Sequence, residues 1–346
     1  MKKNSYQVIG AMAGSSMDGL DIACIEFYKN ETWGFRLIDG NTFPYNEEIK
    51  IRLTESPNES KTTQNKLDDD FGIWIAEQIN NFKENCDHID LIAIHGHTVI
   101  HKPNEGISWQ LGNGEIIAEK CKTLTITDFR SEDIRLGGQG APLVPFGDFT
   151  LFEKYDACIN LGGISNISLK ASQTAWDICP CNQVLNFFAK KLGCPFDEGG
   201  ELGRKGAFNQ EFYNRLSAYD FFLKSPPKSL PNQYFEQEHL NQIDPYDGLH
   251  TYCHFIAKQI ASNISQSENL KILITGGGAH NTFLIEQIKS EINNCAITIP
   301  DEKIIEFKEA IIFGFLGMKK LRGEPNILSS VTGASKDSSS GVIHLP

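Results

Sequence analysis

The stretch YQVIGAMAGSSMDGLDIACIEFY, residues 6–28, contains the pattern that decides the fold. Apolar residues lead into a glycine-rich turn at 14–19, and the β-rich residues 21–27 follow it over no more than the length of a strand. The turn is therefore predicted to connect two strands. Phosphate-binding P-loops and dinucleotide-binding turns both lead into a helix, whose N-terminus faces the phosphates. The segment matches neither motif.

The same device recurs in the second half of the chain. Residues 155–169, YDACINLGGISNISL, again read as strand, glycine turn and strand, with Gly162 and Gly163 in the turn. A third glycine cluster, at 276–278, instead follows a short apolar strand and precedes a helical pattern at 281–292, for which Asn281 is the expected N-cap. Its counterpart in the first half is the apolar run 90–94, which leads into HGHT. The sequence therefore predicts a duplicated α/β domain with the ligand site in the cleft between the copies.

A chain of 346 residues is long enough for two such domains. The N-terminal lobe is predicted to span 1–135 and to be joined by the C-terminal segment 328–346, and the C-terminal lobe is predicted to span 136–327. Apolar residues at helical spacing predict helices at 70–86, 182–192 and 306–322.

The overall charge and the cysteine usage narrow the class of protein. The net charge is −12, with 44 acidic and 32 basic residues, and no basic run offsets it, so nucleic acid and anionic membranes are poor candidate partners. Nine cysteines are spread along the chain, mostly within apolar stretches, and read as reduced, buried residues. Because the N-terminus lacks a secretory pattern and no long apolar run occurs, a cytoplasmic location is expected.

Two glycine hairpins and a triple-glycine turn together suggest a nucleotide site, because turns of this kind present free backbone N–H groups to phosphates. A single glycine-rich turn is more often only a tight turn, so the inference depends on all three. Asp18 and Asp21, beside the first turn, are candidates to orient Mg²⁺, which binds partly through water. Turn-forming aspartates without a metal remain an equal alternative.

Three histidines, His95, His97 and His101, invite a zinc hypothesis. No carboxylate or thiol at suitable spacing completes such a site, so polar residues lining the cleft are the favoured interpretation. The segment 127–133, TDFRSED, places four charges after a predicted strand and before flexible glycines. It suits a loop that grips a substrate, and a solvated loop is the alternative.

The segment WDICPCN, residues 176–182, raises a choice between its cysteines and its aspartate. Cys179 and Cys181 are separated by one proline and lack the spacing of CxxC redox and zinc sites. Asp177 directly follows the strand-like residues 173–176 and precedes a helix, a position from which a carboxylate can act as a general base. The aspartate is therefore the predicted functional residue.

Seven segments in order along the chain resemble the anhydro-N-acetylmuramic acid kinase family, of the sugar kinase, Hsp70 and actin superfamily. They are GAMAGSSMDGLD at 10–21, HGHTVIHKP at 95–103, DFRSEDIRLGGQGAPLVP at 128–145, NLGGISNIS at 160–168, PPKS at 226–229, GGGAHN at 276–281 and SVTGAS at 330–335. The resemblance implies an α/β fold of two actin-like (ribonuclease H-like) domains with a central cleft for ATP and sugar. It implies a cytoplasmic enzyme that uses ATP and Mg²⁺ in cell-wall recycling, and dimers are common in the family.

The family hydrolyses the 1,6-anhydro ring of 1,6-anhydro-N-acetylmuramic acid and phosphorylates O6. By resemblance Asp177 is the base that activates water, and Thr98, Arg130 and Glu309 contact the sugar, with His97 beside them. The residues that the resemblance assigns to ATP are Gly14, Ser15, Ser16, Asp18, Gly19, Asp21, Asn160, Gly162, Gly163, Asn166, Gly276, Gly277 and Gly278. Asp18 and Asp21 are the candidates for Mg²⁺.

The chain departs from the family pattern at three places. DICPCN at 177–182 stands where the family usually has DTGPGN, HGHT at 95–98 where it has HGQT, and GSSMDG at 14–19 where it has GTSLDG. The first departure adds bulk near the expected pocket. Two alternatives therefore stay open: a kinase of a different small sugar, and an ATP-binding homologue without catalytic activity.

Overall fold

The computed structural model describes residues 3–14, 17–86, 88–231, 234–235, 237–264 and 269–346. The chain divides into two compact units. The first comprises Met1–Phe152 and Phe307–Pro346, and the second comprises Glu153–Glu306.

The described residues form thirteen strands and thirteen α-helices. The strands are β1 Ser5–Ala13, β2 Gly19–Lys29, β3 Trp33–Pro44, β4 Leu91–His95, β5 His97–Lys102, β6 Ile107–Leu111, β7 Thr125–Thr127, β8 Ala157–Leu161, β9 Ile164–Leu169, β10 Thr174–Pro180, β11 Lys271–Thr275, β12 Ala296–Thr298 and β13 Val342–His344. The helices are α1 Glu47–Glu55, α2 Lys61–Phe82, α3 Gly114–Cys121, α4 Ser131–Arg135, α5 Pro145–Leu151, α6 Asn182–Lys191, α7 Gln210–Ser217, α8 Asp220–Leu223, α9 Gln237–Asn241, α10 Pro245–Ile264, α11 Thr282–Glu291, α12 Glu302–Leu321 and α13 Ser329–Thr332.

The first unit is built on a six-stranded sheet with the order β13-β7-β4-β1-β2-β3. Strands β1, β2 and β3 are antiparallel neighbours, whereas β4 and β7 run parallel to β1. The glycine-rich turn after β1 thus joins two antiparallel strands, as its sequence predicts. The C-terminal strand β13 returns to this sheet and pairs antiparallel with β7.

The second unit repeats this arrangement with five strands in the order β10-β9-β8-β11-β12. Its first three strands are again antiparallel, and β11 and β12 again run parallel to the first strand of the unit. If the five main strands of each unit are numbered one to five in chain order, both sheets have the order 3-2-1-4-5. This order is β3-β2-β1-β4-β7 in the first unit and β10-β9-β8-β11-β12 in the second. Two units with the same strand order support the predicted duplication.

Helix α12 packs closely on the sheet of the first unit. A Cβ atom at Gly10 would lie only 1.9 Å from the Ala310 carbonyl oxygen, and one at Gly317 only 2.4 Å from the Ala93 Cβ, so glycines on both partners permit this approach. This packing assigns most of α12 to the first unit. The sequence placed that helix in the C-terminal lobe, and the unit boundaries accordingly fall at 152/153 and 306/307 rather than at 135/136 and 327/328.

One predicted helix starts nine residues earlier in the structure, at a capping residue that the apolar spacing did not indicate. Helix α2 begins at Lys61 rather than at 70, because Ser60 caps it by accepting the Thr63 N–H at 3.2 Å. Asn281 caps α11 as expected and accepts the Leu284 N–H at 2.9 Å. Among the helices of the described ranges, none is long and apolar enough to cross a membrane.

Candidate active site

Two of the predicted nucleotide loops lie side by side in the second unit. They follow β8 and β11, which are parallel neighbours, and parallel strands end at the same edge of a sheet. The side chain of Asn160 lies between the loops. A Cβ atom at Gly162 would be 3.1 Å from its Nδ2, and one at Gly276 would be 2.4 Å from its Oδ1.

Asn182, the first residue of α6, joins the same two loops. Its backbone N–H donates to the Gly162 carbonyl (3.1 Å) and its side-chain Nδ2 donates to the Leu161 carbonyl (2.9 Å). A Cβ atom at Gly278 would lie 3.2 Å from Asn182 Oδ1. Asn182 is not among the predicted site residues, although it directly follows the second cysteine of WDICPCN. Asn182 therefore hydrogen-bonds the loop after β8 and lies close to Gly278 of the loop after β11.

Gly276 occupies a backbone conformation that suits glycine, with φ +85°. The short 3-10 helix Gly277–His280 follows it and leads directly to Asn281, the cap of α11. The predicted order of strand, glycine turn and helix is therefore present, with Ala279, His280 and the cap Asn281 between Gly278 and the first residue of α11.

Asp177 belongs to a row of polar residues that crosses the sheet of the second unit. It pairs directly with Asn166 on β9, Asn166 pairs with Asn160 on β8, and Asn160 pairs with Thr275 on β11. Residues paired in this way lie on one face of a sheet, and neighbouring strands are about 4.8 Å apart. The structure thus brings the predicted base and the two predicted ATP-binding asparagines together. It adds Thr275, which is not among the predicted site residues.

The position of Asp177 within its strand differs from the prediction. The strand was expected to end at Trp176, but β10 continues to Pro180, so Asp177 lies inside it. Between Asp177 and Cys179 the register with β9 shifts, which makes Ile178 the extra residue of a bulge. Bulges re-aim neighbouring side chains and are common beside active sites.

The three residues that depart from the family pattern after Asp177, one in place of a threonine and two in place of glycines, point into the core. Ile178, Cys179 and Cys181 each have 0% exposure and belong to the apolar cluster of the second unit. Burial raises the pKa of the Cys179 thiol to about 12 and raises that of Cys181 well above its usual value. Both side chains are therefore buried thiols rather than thiolate ligands or nucleophiles, in agreement with the interpretation from their spacing.

The segment at 226–230 holds Asp177 in place. The Leu230 N–H donates to Asp177 Oδ2 (2.8 Å), and the Asp177 N–H donates to the Lys228 carbonyl (2.9 Å). Burial raises the pKa of the Asp177 carboxyl, and the hydrogen bond from Leu230 partly opposes this rise. A half-buried carboxylate with a raised pKa is a stronger base than an exposed aspartate.

The predicted phosphate turn of the first unit lies between β1 and β2. Gly14 and Asp18 belong to this turn, whereas Ser15 and Ser16 lie outside the described residues. Thr42 Oγ1 donates to Asp21 Oδ1 (2.6 Å), and the Tyr45 N–H donates to the Asp18 carbonyl (3.2 Å).

Gly19, the last residue of the predicted phosphate turn, has a packing role. A Cβ atom there would lie 2.5 Å from the Phe43 carbonyl oxygen on β3. The close approach of two strands thus accounts for this glycine.

Three residues around the predicted sugar site are in contact within the first unit. Arg130 Nε donates to His95 Nε2 (3.0 Å), and the His95 ring packs on Phe313 with 4.6 Å between ring centroids. Burial lowers the pKa of Arg130 to about 10, and the nearby Glu309 carboxylate opposes this decrease. Glu309 and Phe313 lie four residues apart on α12 and therefore on one helix face.

The other predicted sugar residues lie on the neighbouring hairpin. Thr98 and His97 are on β5, paired with Gln110 and Leu111 of β6. Burial lowers the pKa of His97. His101 has its own partner, since its Nδ1 lies 3.1 Å from Ser108 Oγ. Within the ranges described, no group of three or more His, Cys, Asp or Glu side chains is arranged to hold a metal ion.

Comparison with known proteins relates this geometry to one family. The sequence model of anhydro-N-acetylmuramic acid kinase matches residues 6–346. The chain belongs to the anhydro-N-acetylmuramic acid kinase family. It is 31% identical to the family member from Sulfurimonas denitrificans, with 97% of this chain and 98% of that protein covered, and 31% identical to the member from Aliivibrio fischeri at the same coverage. As a member of this family it is a phosphotransferase that acts on a sugar hydroxyl.

A solved structure supports the fold class independently. Component A of the (R)-2-hydroxyglutaryl-CoA dehydratase from Acidaminococcus fermentans is similar with a TM-score of 0.50 at 12% identity, covering 92% of this chain and 99% of that one. At this identity the likeness concerns the fold alone. The actin-like α/β class predicted for this anhydro-N-acetylmuramic acid kinase family member is confirmed.

Proposed function

We propose that this protein uses ATP to open the 1,6-anhydro ring of 1,6-anhydro-N-acetylmuramic acid and to phosphorylate O6, giving N-acetylmuramic acid 6-phosphate. The observation that carries the proposal is the polar row of the second unit, in which Asp177, Asn166 and Asn160 are successive cross-strand neighbours. A base and a phosphate-binding edge on one sheet face suit a reaction that couples hydrolysis to phosphoryl transfer.

Asp177 is assigned the role of general base. It takes a proton from a water molecule whose oxygen attacks the anomeric carbon, and the bond between C1 and O6 breaks with oxocarbenium character that a carboxylate stabilises. The released O6 attacks the γ-phosphorus of ATP, and the bond from that phosphorus to the bridging oxygen breaks to release ADP. The hydrogen bond from the Leu230 N–H keeps the carboxylate oriented for the first step.

The glycine loops are assigned to ATP. In the second unit Asn160, Gly162, Gly163 and Asn166 would face the phosphates and Gly276, Gly277 and Gly278 the nucleoside. Gly14 to Asp21 would supply the phosphate turn of the first unit. Asp18 and Asp21 would hold Mg²⁺ in part through water, which fits an ion that commonly binds through one or two carboxylates together with substrate phosphates. The bound ion supplies neutralisation of phosphate charge.

The buried cysteines argue against a change of substrate through WDICPCN. Because Ile178, Cys179 and Cys181 are fully buried, their extra bulk fills the core rather than a ligand pocket. This favours the family reaction over a kinase of another small sugar. The presence of Asp177, with a pKa raised by burial, argues against a homologue without catalytic activity.

The test is an assay of ADP release with 1,6-anhydro-N-acetylmuramic acid, with N-acetylglucosamine and glucose as comparison sugars. We expect turnover that depends on the anhydro sugar and yields N-acetylmuramic acid 6-phosphate. Turnover on a comparison sugar alone would support the alternative of a kinase for a different small sugar. ATP binding without turnover on any sugar would support the alternative of an ATP-binding homologue without catalytic activity. The cytoplasmic location and a homodimer remain predictions.

The nucleotide loop supplies a testable prediction. Gly276→Ala is expected to weaken ADP binding about tenfold or more, because the residue has φ +85° and a Cβ atom would lie 2.4 Å from Asn160 Oδ1. Calorimetric titration with ADP measures the effect. Gly193→Ala is the matched control, since Gly193 has φ +81° in the same unit but open space around it. Equal ADP affinity of the two variants would contradict the assignment of this loop.

The pKa of Asp177 supplies a second prediction. A base must be deprotonated to act, so kcat/KM is expected to fall as the pH falls through the pKa of Asp177. Since burial raises this pKa, the fall should occur at a higher pH than the value of about 3.9 typical of aspartate would give. The measurement is a pH–rate profile. Burial also raises the pKa of Glu309, so a fall that vanishes in Glu309→Gln would assign it to that residue instead.

A further inference from the structure

A buried histidine of the first unit contacts the predicted sugar residue Arg130 but has no role in the reaction proposed above. His95, the last residue of β4, is only 4% exposed, and its Nε2 accepts the Arg130 Nε–H at 3.0 Å. A ring nitrogen that accepts a hydrogen bond carries no proton, so the proton of a neutral His95 is on Nδ1. Burial and the nearby guanidinium hold the pKa of His95 well below its usual range, which keeps the ring neutral.

A second contact fixes the other side of the guanidinium. Arg130 Nη1 donates to the Gly140 carbonyl at 2.6 Å. The loop at Gly140 is itself anchored, since its N–H donates to Asp133 Oδ2 (2.8 Å) and Thr332 Oγ1 donates to Asp133 Oδ1 (2.7 Å). Asp133 is fully buried. Arg130 is therefore held from two different parts of the first unit.

These two contacts determine what Arg130 can offer a ligand. A guanidinium has five N–H donors in one plane, and two of them are used by His95 and Gly140. The Nη2 group has no hydrogen bond to any residue that the structure describes, so it remains for a ligand oxygen. A guanidinium whose direction is already set loses less freedom when it binds an oxygen.

We propose that His95 is a positioning residue, which accepts the Arg130 Nε–H and thereby aims the guanidinium at the sugar. This inference rests on the proposed function. It explains the first histidine of HGHT by its place beside Arg130 of DFR, two segments that the sequence alone does not connect.

Steady-state kinetics test the role. His95→Leu removes the acceptor and is expected to raise the KM for the anhydro sugar about tenfold to a hundredfold, with kcat and the KM for ATP changed less than about threefold. His95→Gln should recover most of the affinity, because its amide oxygen can accept the same hydrogen bond. The control is His88→Leu, whose side chain is 69% exposed in the same unit. A fall in kcat with an unchanged sugar KM would overturn the proposal.

A double-mutant cycle separates positioning from a structural role. If His95 acts through Arg130, then His95→Leu should raise the sugar KM no further in an Arg130→Met background. Thermal unfolding confirms that each variant is folded. Independent, multiplicative effects of the two substitutions would mean that His95 does not act through Arg130.

The nitrogen resonances of histidine provide a readout that does not depend on turnover. In ¹⁵N-histidine-labelled wild-type protein, His95 is expected to have an unprotonated Nε2 and a protonated Nδ1 at neutral pH. A protonated Nε2 in an enzyme that turns over the sugar would overturn the positioning role alone. A wild-type protein with no sugar-dependent turnover would instead overturn the proposed function, and with it the direction of Arg130 towards a sugar.

Discussion

Asp177→Asn is expected to lower sugar-dependent turnover about a thousandfold while ADP binding stays within about twofold of the wild type. The amide cannot take a proton from water, but its Oδ1 can still accept the Leu230 N–H that now bonds the carboxylate at 2.8 Å. The geometry of β10 should therefore survive. The measurements are single-turnover phosphoryl transfer and calorimetric titration with ADP.

The stability of this variant is a further check on the interpretation. The pKa of Asp177 is raised on folding, so the folded state favours the protonated carboxyl, and the ionised form at neutral pH opposes folding. Removal of that charge should leave the thermal midpoint unchanged or higher. Asp156→Asn is the matched control, because Asp156 also accepts a backbone N–H in the second unit, from Lys271 at 2.8 Å, but is exposed. Turnover within tenfold of the wild type in Asp177→Asn would exclude this residue as the base.

Lys308→Met is expected to destabilise the first unit by about 3–5 kcal/mol. Lys308 Nζ lies 2.8 Å from Asp148 Oδ1, and the two side chains are only 6% and 4% exposed. Loss of the ammonium leaves a buried carboxylate without its opposite charge. Urea unfolding followed by tryptophan fluorescence in a Trp176→Phe background measures this, because the other three tryptophans, at 33, 74 and 109, all lie in the first unit.

Two variants delimit this prediction. Lys308→Met combined with Asp148→Leu removes both charges and should recover most of the lost stability, since an apolar pair can replace a buried ion pair. Lys102→Met breaks an exposed pair with Glu105, in which both side chains are 59% exposed, and should cost less than about 1 kcal/mol. A loss below about 1 kcal/mol in Lys308→Met would contradict the view that this buried pair supports the unit.

Family membership sharpens the meaning of the departures from the family pattern. The cysteines of WDICPCN lie in the core of the second unit, and Tyr252, beneath the same segment, donates its hydroxyl to the Pro180 carbonyl at 2.8 Å. The substitution of glycines by larger residues is thus accommodated by packing. His97, which stands where the family has a glutamine, is not explained by core packing in this way. It lies on β5 beside the predicted sugar residue Thr98.

Several features could be predicted because they depend on neighbours in sequence. The glycine turns at 14–19 and 162–163 were assigned to hairpins from the short β-rich runs on both sides, and the Asn281 cap from its place before a helical pattern. Other features depend on distant residues. The bulge at Ile178 arises from pairing with β9, and helix α12 belongs to the first unit because Ala310 and Gly317 meet Gly10 and Ala93.

Local pattern sufficed for the two glycine hairpins, the cap of α11 and the two-unit duplication, since residue spacing and turn chemistry act over a few positions. The role of Asp177 as the base stays a prediction. Motif order sufficed for the family. Only the folded chain decided which of these residues meet. The row from Asp177 to Thr275 spans four strands, and Arg130 finds His95 and the Gly140 carbonyl on separate segments. Such contacts follow from sheet register and helix packing, which depend on residues far apart in the chain.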